Sequence, residues 1–145
     1  MNVHINPYSS ENKIPLISVW ERSVLATHSF LDPSDFEEIK VLVQGIDFNS
    51  FPVYCLLKEN EVIGFMGIED RKVEMLFIDP KCFGQGHGKR LMDYAIENHN
   101  VDKVDVNEQN SDAVGFYEHL GFVVYERTEK DDQGRNYPIL RMKLK

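Results

Sequence analysis

The sequence predicts a mixed α/β fold with one central sheet, and three observations carry that expectation. Apolar residues recur at helical spacing in four segments,. Between and beyond those segments lie apolar runs of strand length, bounded by Gly, Pro, Asn and Asp,. The length of 145 residues suits a single core that buries roughly 70% of the unfolded surface. No repeat, low-complexity tract or Pro/Gly/Ser-rich linker interrupts it, so residues 1–145 read as one domain.

The elements follow in order. Val3–Ile5 opens as a short strand, and Pro7-Tyr8-Ser9-Ser10 breaks it,. Ser10 or Asn12 offers an N-cap to a first helix, in which Ile14, Leu16, Ile17, Trp20, Val24 and Leu25 keep mostly helical spacing to about Phe30,. Asp32-Pro33-Ser34 is a turn and cap for a second helix with Phe36, Ile39, Val41, Leu42 and Val43, which stops near Gly45. Val53–Leu57 and Val62–Ile68 flank Glu59-Asn60-Glu61, a hairpin pattern,. A third apolar run, Val73–Ile78, ends at Asp79-Pro80. Gly84, Gly86 and Gly88 then lead into a helix with Leu91, Met92, Ala95 and Ile96. Val104 and Val106 mark a short strand. Asn110 caps a helix whose Ala113, Phe116, Tyr117 and Leu120 form one stripe, closed by Gly121,. Phe122–Tyr125 and Pro138–Leu144 are strands joined across Asp131-Asp132-Gln133-Gly134.

Composition excludes several function classes. Sixteen Lys and Arg against twenty-four Asp and Glu leave a net charge of −8. An acidic surface repels phosphodiester backbones, so nucleic acid is not an expected partner. No apolar run reaches the roughly 20 residues that span a bilayer. The start, MNVHINPYSS, lacks the basic and apolar segments of a signal peptide,. Cys55 and Cys82 are too few for a disulfide framework,. The expectation is a soluble cytoplasmic protein, monomer or homodimer. His4, His28, His87, His99 and His119 show no paired ligand spacing, so no metal is expected,.

One window departs from the overall acidity. Pro80 to Met92 holds no acid, and Lys81, Lys89 and Arg90 accompany its three glycines. Glycine permits positive φ and close backbone approach to a ligand. A helix start adds free N–H groups and about half a positive charge, which together suit a phosphate. The nucleotide fingerprints do not fit. A Walker loop needs Gly where Phe83 stands and Ser or Thr where Arg90 stands,. The dinucleotide pattern needs a third Gly where Lys89 stands,.

A third pattern fits better. Leu76-Phe77-Ile78-Asp79-Pro80, then Phe83-Gly84-Gln85-Gly86-His87-Gly88, then Leu91-Met92, resembles the acyl-CoA-binding motif of the GNAT N-acetyltransferases. Downstream, Asn110-x-x-Ala113-x-x-Phe116-Tyr117-x-x-x-Gly121-Phe122 is similar to that superfamily's second motif. Together with the strands around them the motifs span roughly residues 53–125. Phe83 departs from the family, which opens its loop with Arg or Gln; one side-chain contact to the pyrophosphate is thereby lost.

The resemblance implies the family's mixed, mostly antiparallel sheet flanked by helices, and an N-acetyltransferase acting by direct attack. Acetyl-CoA is the implied co-substrate and a primary amine the acceptor; the acidic chain suits a cationic one. Leu76, Phe77 and Ile78 would pair through their backbone with the pantetheine arm and offer an N–H to the oxyanion. Gln85, Gly86, His87, Gly88 and Lys89 would seat the pyrophosphate, with Phe83 and Gly84 completing the loop and Phe116 and Asn110 alongside the coenzyme. Asn110 would also serve as N-cap.

Tyr117 is the implied general acid, its phenol protonating the departing thiolate. By periodicity alone it is a core residue. For the base, two groups are candidates. Glu74 shares strand parity with Leu76 and Ile78, and His28 sits in Trp20-x-Arg22-Ser23-x-x-x-Thr27-His28-x-Phe30, near the family's acceptor side,. A solvated strand carboxylate and a helix-end histidine are the plain readings of these two. Cys82 adjoins the loop without a histidine nearby in sequence. A coenzyme-A-binding sensor with little catalysis is the rival from another class.

Overall fold

The computed structural model describes residues 2–145. Seven strands form one sheet: β1 (Val3–Pro7), β2 (Val53–Lys58), β3 (Glu61–Glu69), β4 (Lys72–Ile78), β5 (Lys103–Asn107), β6 (Phe122–Thr128) and β7 (Ile139–Leu144). Their order across the sheet is β1-β2-β3-β4-β5-β7-β6. Every neighbouring pair is antiparallel except β4 and β5, which run parallel. Two tight hairpins shape its first half. Glu59-Asn60 and Asp70-Arg71 all take positive φ, the primed-turn geometry whose twist matches paired strands,.

Four helices cover the two faces: α1 (Lys13–Thr27), α2 (Pro33–Gln44), α3 (His87–His99) and α4 (Ser111–His119). Leu16, Val19, Trp20 and Val24 of α1 join Phe36 and Val43 of α2 on one face, against Val53, Cys55, Val62 and Phe65. Leu91, Met92 and Ala95 of α3 join Tyr117 of α4 on the other, against Leu56, Ile63, Met66, Val104 and Met142. Alternate residues of β2 and β3 thus feed opposite cores, which is why these strands read as continuous apolar runs rather than alternating ones.

One helix boundary differs from expectation, and the side chains of Asn12, Val41 and Leu42 lie elsewhere than the helix pattern suggests. Asn12 does occupy the N-cap of α1, after a short 3-10 turn, but its side chain turns back to accept the Ser9 backbone N–H at 3.0 Å. The same helix ends at Thr27 rather than Phe30, because His28 leaves helical geometry at φ −112° and ψ 53°. Pro33 then starts α2, with the Asp32 carboxylate accepting the Ser34 N–H at 2.8 Å. In α2, Val41 and Leu42 point outward, 66% and 51% exposed, since only the Phe36, Ile39 and Val43 side of the helix joins the core it shares with α1. Among the described residues no helix is long and apolar enough to cross a membrane.

The feature that positions a site is a split in the sheet. β4 and β5 pair only at Lys72–Lys103 and Val73–Val104, then diverge. From Met75 to Ile78 the β5-facing edge of β4 is left open.

Candidate active site

A cavity of about 430 Å³ opens at this split. Leu76, Phe77 and Ile78 form one wall, and Phe83, Gly84, Gly86, His87, Gly88 and Lys89 form the rim. Asn110, Ala113, Phe116 and Tyr117 come from α4 and its cap, and Ser23, Thr27 and His28 from the end of α1. Residues far apart in sequence therefore share one space.

The backbone of β4 decides which groups face the cavity. Asp79 donates its N–H to the Ile63 carbonyl at 2.8 Å. Backbone groups of successive strand residues point to opposite edges, so Phe77 also faces β3, and Leu76 and Ile78 present their N–H groups to the opening. Of the three expected backbone partners, two are free to serve a ligand and Phe77 is committed to the sheet.

Asp79 anchors the end of this strand. Its side chain is 3% exposed and accepts Arg22 Nη2 at 2.6 Å, Arg22 Nε at 3.2 Å and the Lys81 N–H at 3.2 Å. Burial pushes the carboxyl up, but the Arg22 hydrogen bonds, the Lys81 amide and the two positive charges outweigh it and hold it below the ordinary value. The Arg22–Asp79 pair ties α1 to the exit of β4.

The glycine loop is strained where it needs glycine. Gly84 and Gly86 adopt φ of 75° and 81°, and neither is crowded, so backbone conformation alone selects the residue,. Gly88 is different: a Cβ there would lie 3.1 Å from the Phe116 ring, so its small size lets α4 approach the start of α3. This explains why Phe116 and the loop belong to one site. Asn110 caps α4 by accepting the Ala113 N–H at 3.3 Å.

The charges of the acid-free window are not free in space. Lys81 pairs with Glu61 at 3.0 Å and Lys89 with Asp93 at 2.8 Å. Both pairs are exposed and weak enough to yield to a ligand. His87 is held neutral by burial, with Arg90 and Lys58 opposing a further positive charge. A second, shallower depression beside the rim shares Gly86 and Lys89 and adds Arg90 and Tyr94.

Tyr117 is 7% exposed and sits with its ring edge-on to Phe116 and Phe122. It is at once a core residue and part of the cavity wall. Burial pushes its phenol well above the ordinary range, so the proton is retained at neutral pH.

The two base candidates part here. His28 lines the cavity, its ring tilted on Phe30 at 5.2 Å, and burial lowers its pKa below the ordinary imidazole value. Glu74 is absent from the described residues lining it. Met75 pairs with Gly67 and Val73 with Ile68, so Glu74 is the extra residue of a bulge and the parity with Leu76 and Ile78 does not reach it,. Its carboxylate meets Lys72 at 3.2 Å, and Lys72 also holds Asp105 at 2.8 Å. Asp105 lies between Val104 and Val106, both turned to the α3–α4 core, so this network lies on the α1–α2 side of the sheet, outside the cavity lining. Burial raises the Glu74 pKa against the opposing pull of Lys72. Cys82 is buried in the cavity wall.

Sequence reasoning did not single out the side chains by which the segment before β7 straps onto α2. Tyr137, before β7, donates to the Asp35 carboxylate and accepts the Asp32 N–H at 2.9 Å. Arg135 reaches Glu38 at 3.0 Å, and the Phe30 ring lies 6.0 Å from that of Tyr137. No local pattern signals contacts of this range.

Comparison with known proteins agrees with the geometry. The sequence profile described as "Acetyltransferase (GNAT) domain" matches residues 27–145. Over 143 residues the chain is 40% identical to the peptidyl-lysine N-acetyltransferase YjaB of Salmonella typhimurium, covering 98% of each. The solution structure of apo-form YjaB from Escherichia coli aligns with a TM-score of 0.91 at 35% identity, over 99% of this chain and 97% of that one. The PaiA N-acetyltransferase of Thermoplasma acidophilum, solved in complex with coenzyme A, shares the fold with a TM-score of 0.71 at 21% identity, over 99% of both chains.

Proposed function

The chain belongs to the GNAT acetyltransferase family, and from that premise we propose that it transfers the acetyl group of acetyl-CoA to the side-chain amine of lysine in a protein or peptide. The observation that carries the reading is the one cavity where free β4 amides, a buried phenol and a neutral imidazole meet. The substrate class rests on the names of the YjaB relatives, which cover nearly the whole chain. Those names also speak for an enzyme rather than a non-catalytic coenzyme-A sensor.

The split between β4 and β5 has the shape an extended ligand arm needs, and the positive-φ glycines and the α3 start have the chemistry a pyrophosphate needs,. Bound acetyl-CoA supplies the thioester. The Leu76 and Ile78 N–H groups are donors for the acyl oxygen as negative charge develops on it, each such donor being worth about 2.7–4 kcal/mol of barrier. His28, neutral at pH 7, takes the proton of the acceptor ammonium. Tyr117 gives its proton to the sulfur as the carbon–sulfur bond breaks and regains one from the attacking nitrogen as that becomes the amide, while His28 releases the first proton to solvent. Glu74, paired to Lys72 and not among the residues lining the cavity, is not the base in this reading. The acceptor is cationic before it reacts, in keeping with the acidic chain. Residues 1–145 act as one cytoplasmic N-acetyltransferase domain, monomer or homodimer, with the site built from one chain.

The test is thiol release from acetyl-CoA with lysine peptides, their Nε-acetylated counterparts and small amines. Release with the lysine peptides alone, with one acetyl group added by mass, is the expected result. Release only with small amines would overturn the peptide acceptor.

A further inference from the structure

Thr27 has one hydroxyl proton and two neighbours that could take it. Its Oγ1 donates to the Ser23 carbonyl at 2.8 Å and lies 2.7 Å from His28 Nδ1. A hydroxyl hydrogen serves one strong bond at a time, and the same oxygen retains lone pairs to accept another. Both short contacts are satisfied together in one arrangement only: the hydroxyl gives its proton to Ser23, and Nδ1–H gives its own to Oγ1. Neutral imidazole carries a single N–H. With that hydrogen on Nδ1, the Nε2 lone pair is bare.

The choice of residue fits the task. In a helix, threonine favours the rotamers in which Oγ1 meets the carbonyl one turn back, because its branched Cβ leaves few alternatives. Thr27 is the last residue of α1 and His28 its C-cap, so the hydroxyl bridges helical and non-helical backbone at the cavity wall. The His28 N–H is bonded to the Val24 carbonyl at 2.8 Å, and Phe30 flanks the ring. Backbone, ring face and Nδ1 are therefore all held. The titratable groups that share the cavity are Cys82, His87, Lys89, Asp112 and Tyr117, with Tyr137 beyond Phe30.

We propose that Thr27 is a positioning residue that locks His28 in its Nδ1–H tautomer and so keeps Nε2 available as the proton acceptor. The catalytic half of this statement rests on the proposed role of His28. The tautomer half does not.

The two are separated by measuring both in the full-length protein. Nitrogen-15 chemical shifts of the imidazole at pH 7.5 are expected to show His28 as Nδ1–H. Thr27→Val keeps the shape and deletes the hydroxyl; the ring should then shift toward the Nε2–H form that free imidazole prefers. Thr27→Ser should restore the Nδ1–H signal. In parallel, kcat/KM for the amine should fall about fivefold in Thr27→Val, following the fraction of rings left in the competent form, and recover in Thr27→Ser, while KM for acetyl-CoA holds. An Nε2–H ring in the unaltered protein, or an unchanged tautomer in Thr27→Val, overturns the proposal without need of any variant's activity. If the lock is present but His28→Gln keeps full kcat/KM and its acid limb, the positioning stands and the base assignment fails.

Discussion

On the β4–α3–α4 side of the cavity, the caps and turns that shape the site are short-range. Asp79 accepts from Lys81 two residues on, Asn110 from Ala113 three residues on, and the positive-φ glycines sit within one loop. On the α1–α2 side the contacts join distant segments. Tyr137 meets Asp35 and Arg135 meets Glu38 across 102 and 97 positions. The first side offers fixed backbone donors to an unvarying ligand. The second is a strap that braces α2 and reaches the His28 end of α1 through Phe30, so substitutions there are expected to act on the acceptor rather than on the coenzyme. One cavity thus combines a locally encoded half with a tertiary half, and Arg22–Asp79 is the strut between them.

The comparison can be tested from its strongest consequence downward. Tyr117→Phe keeps the ring packing and removes only the proton donor. Its kcat should fall by about 100-fold or more, with the melting temperature and both KM values nearly unchanged; equal kcat would return Tyr117 to a packing role. Arg22→Met strips the partner from the buried Asp79. A loss of about 2 kcal/mol is expected, less than for a fully buried pair because Arg22 is 51% exposed,. The sign with pH follows from the lowered carboxyl pKa. The pair's contribution is complete above the ordinary value near 3.9 and is lost as pH falls through the lower folded value. The gap in chemical-denaturation stability between the two proteins should therefore narrow in strong acid.

Gly86→Val forces a branched side chain into φ of 81°, at roughly 1–2 kcal/mol. Acetyl-CoA binding should weaken about tenfold, while KM for the acceptor stays put; movement of both would deny the separation of the halves. Tyr137→Phe removes one accepted and one donated hydrogen bond from the strap, at about 1 kcal/mol. The mirror result is expected, with acceptor KM raised severalfold and acetyl-CoA KM constant.

Much of this was legible in the chain itself. The order of helices and strands follows from periodicity, and the glycine loop and the Asn110 helix pointed to the coenzyme side and to Tyr117. What escaped had a physical reason in each instance. Strand alternation placed Glu74 beside Leu76 until a bulge broke the count. Val41 and Leu42 count among the apolar residues of the second helix, yet both stand exposed because only the Phe36 and Val43 side of α2 joins the core. Nothing local distinguished a His28 held by Thr27 and Phe30 from any histidine at a helix end.

The window from Pro80 to Met92 shows where the division falls. Its glycines, its helix start and its lack of acids are properties of consecutive residues, because φ preferences and capping act over one turn of chain. By itself the sequence determined that backbone amides would gather there. Asp93 stands one helical turn from Lys89 by local spacing, but the partner of Lys81 was decided by the fold, which brings Glu61 to it from the neighbouring β2–β3 hairpin. Only the tertiary structure placed a second set of side chains, Ser23, Thr27 and His28 from the end of α1, across from those amides. Coulombic and hydrogen-bonded partners are chosen by distance in space, and that distance exists only once the sheet has closed around its split.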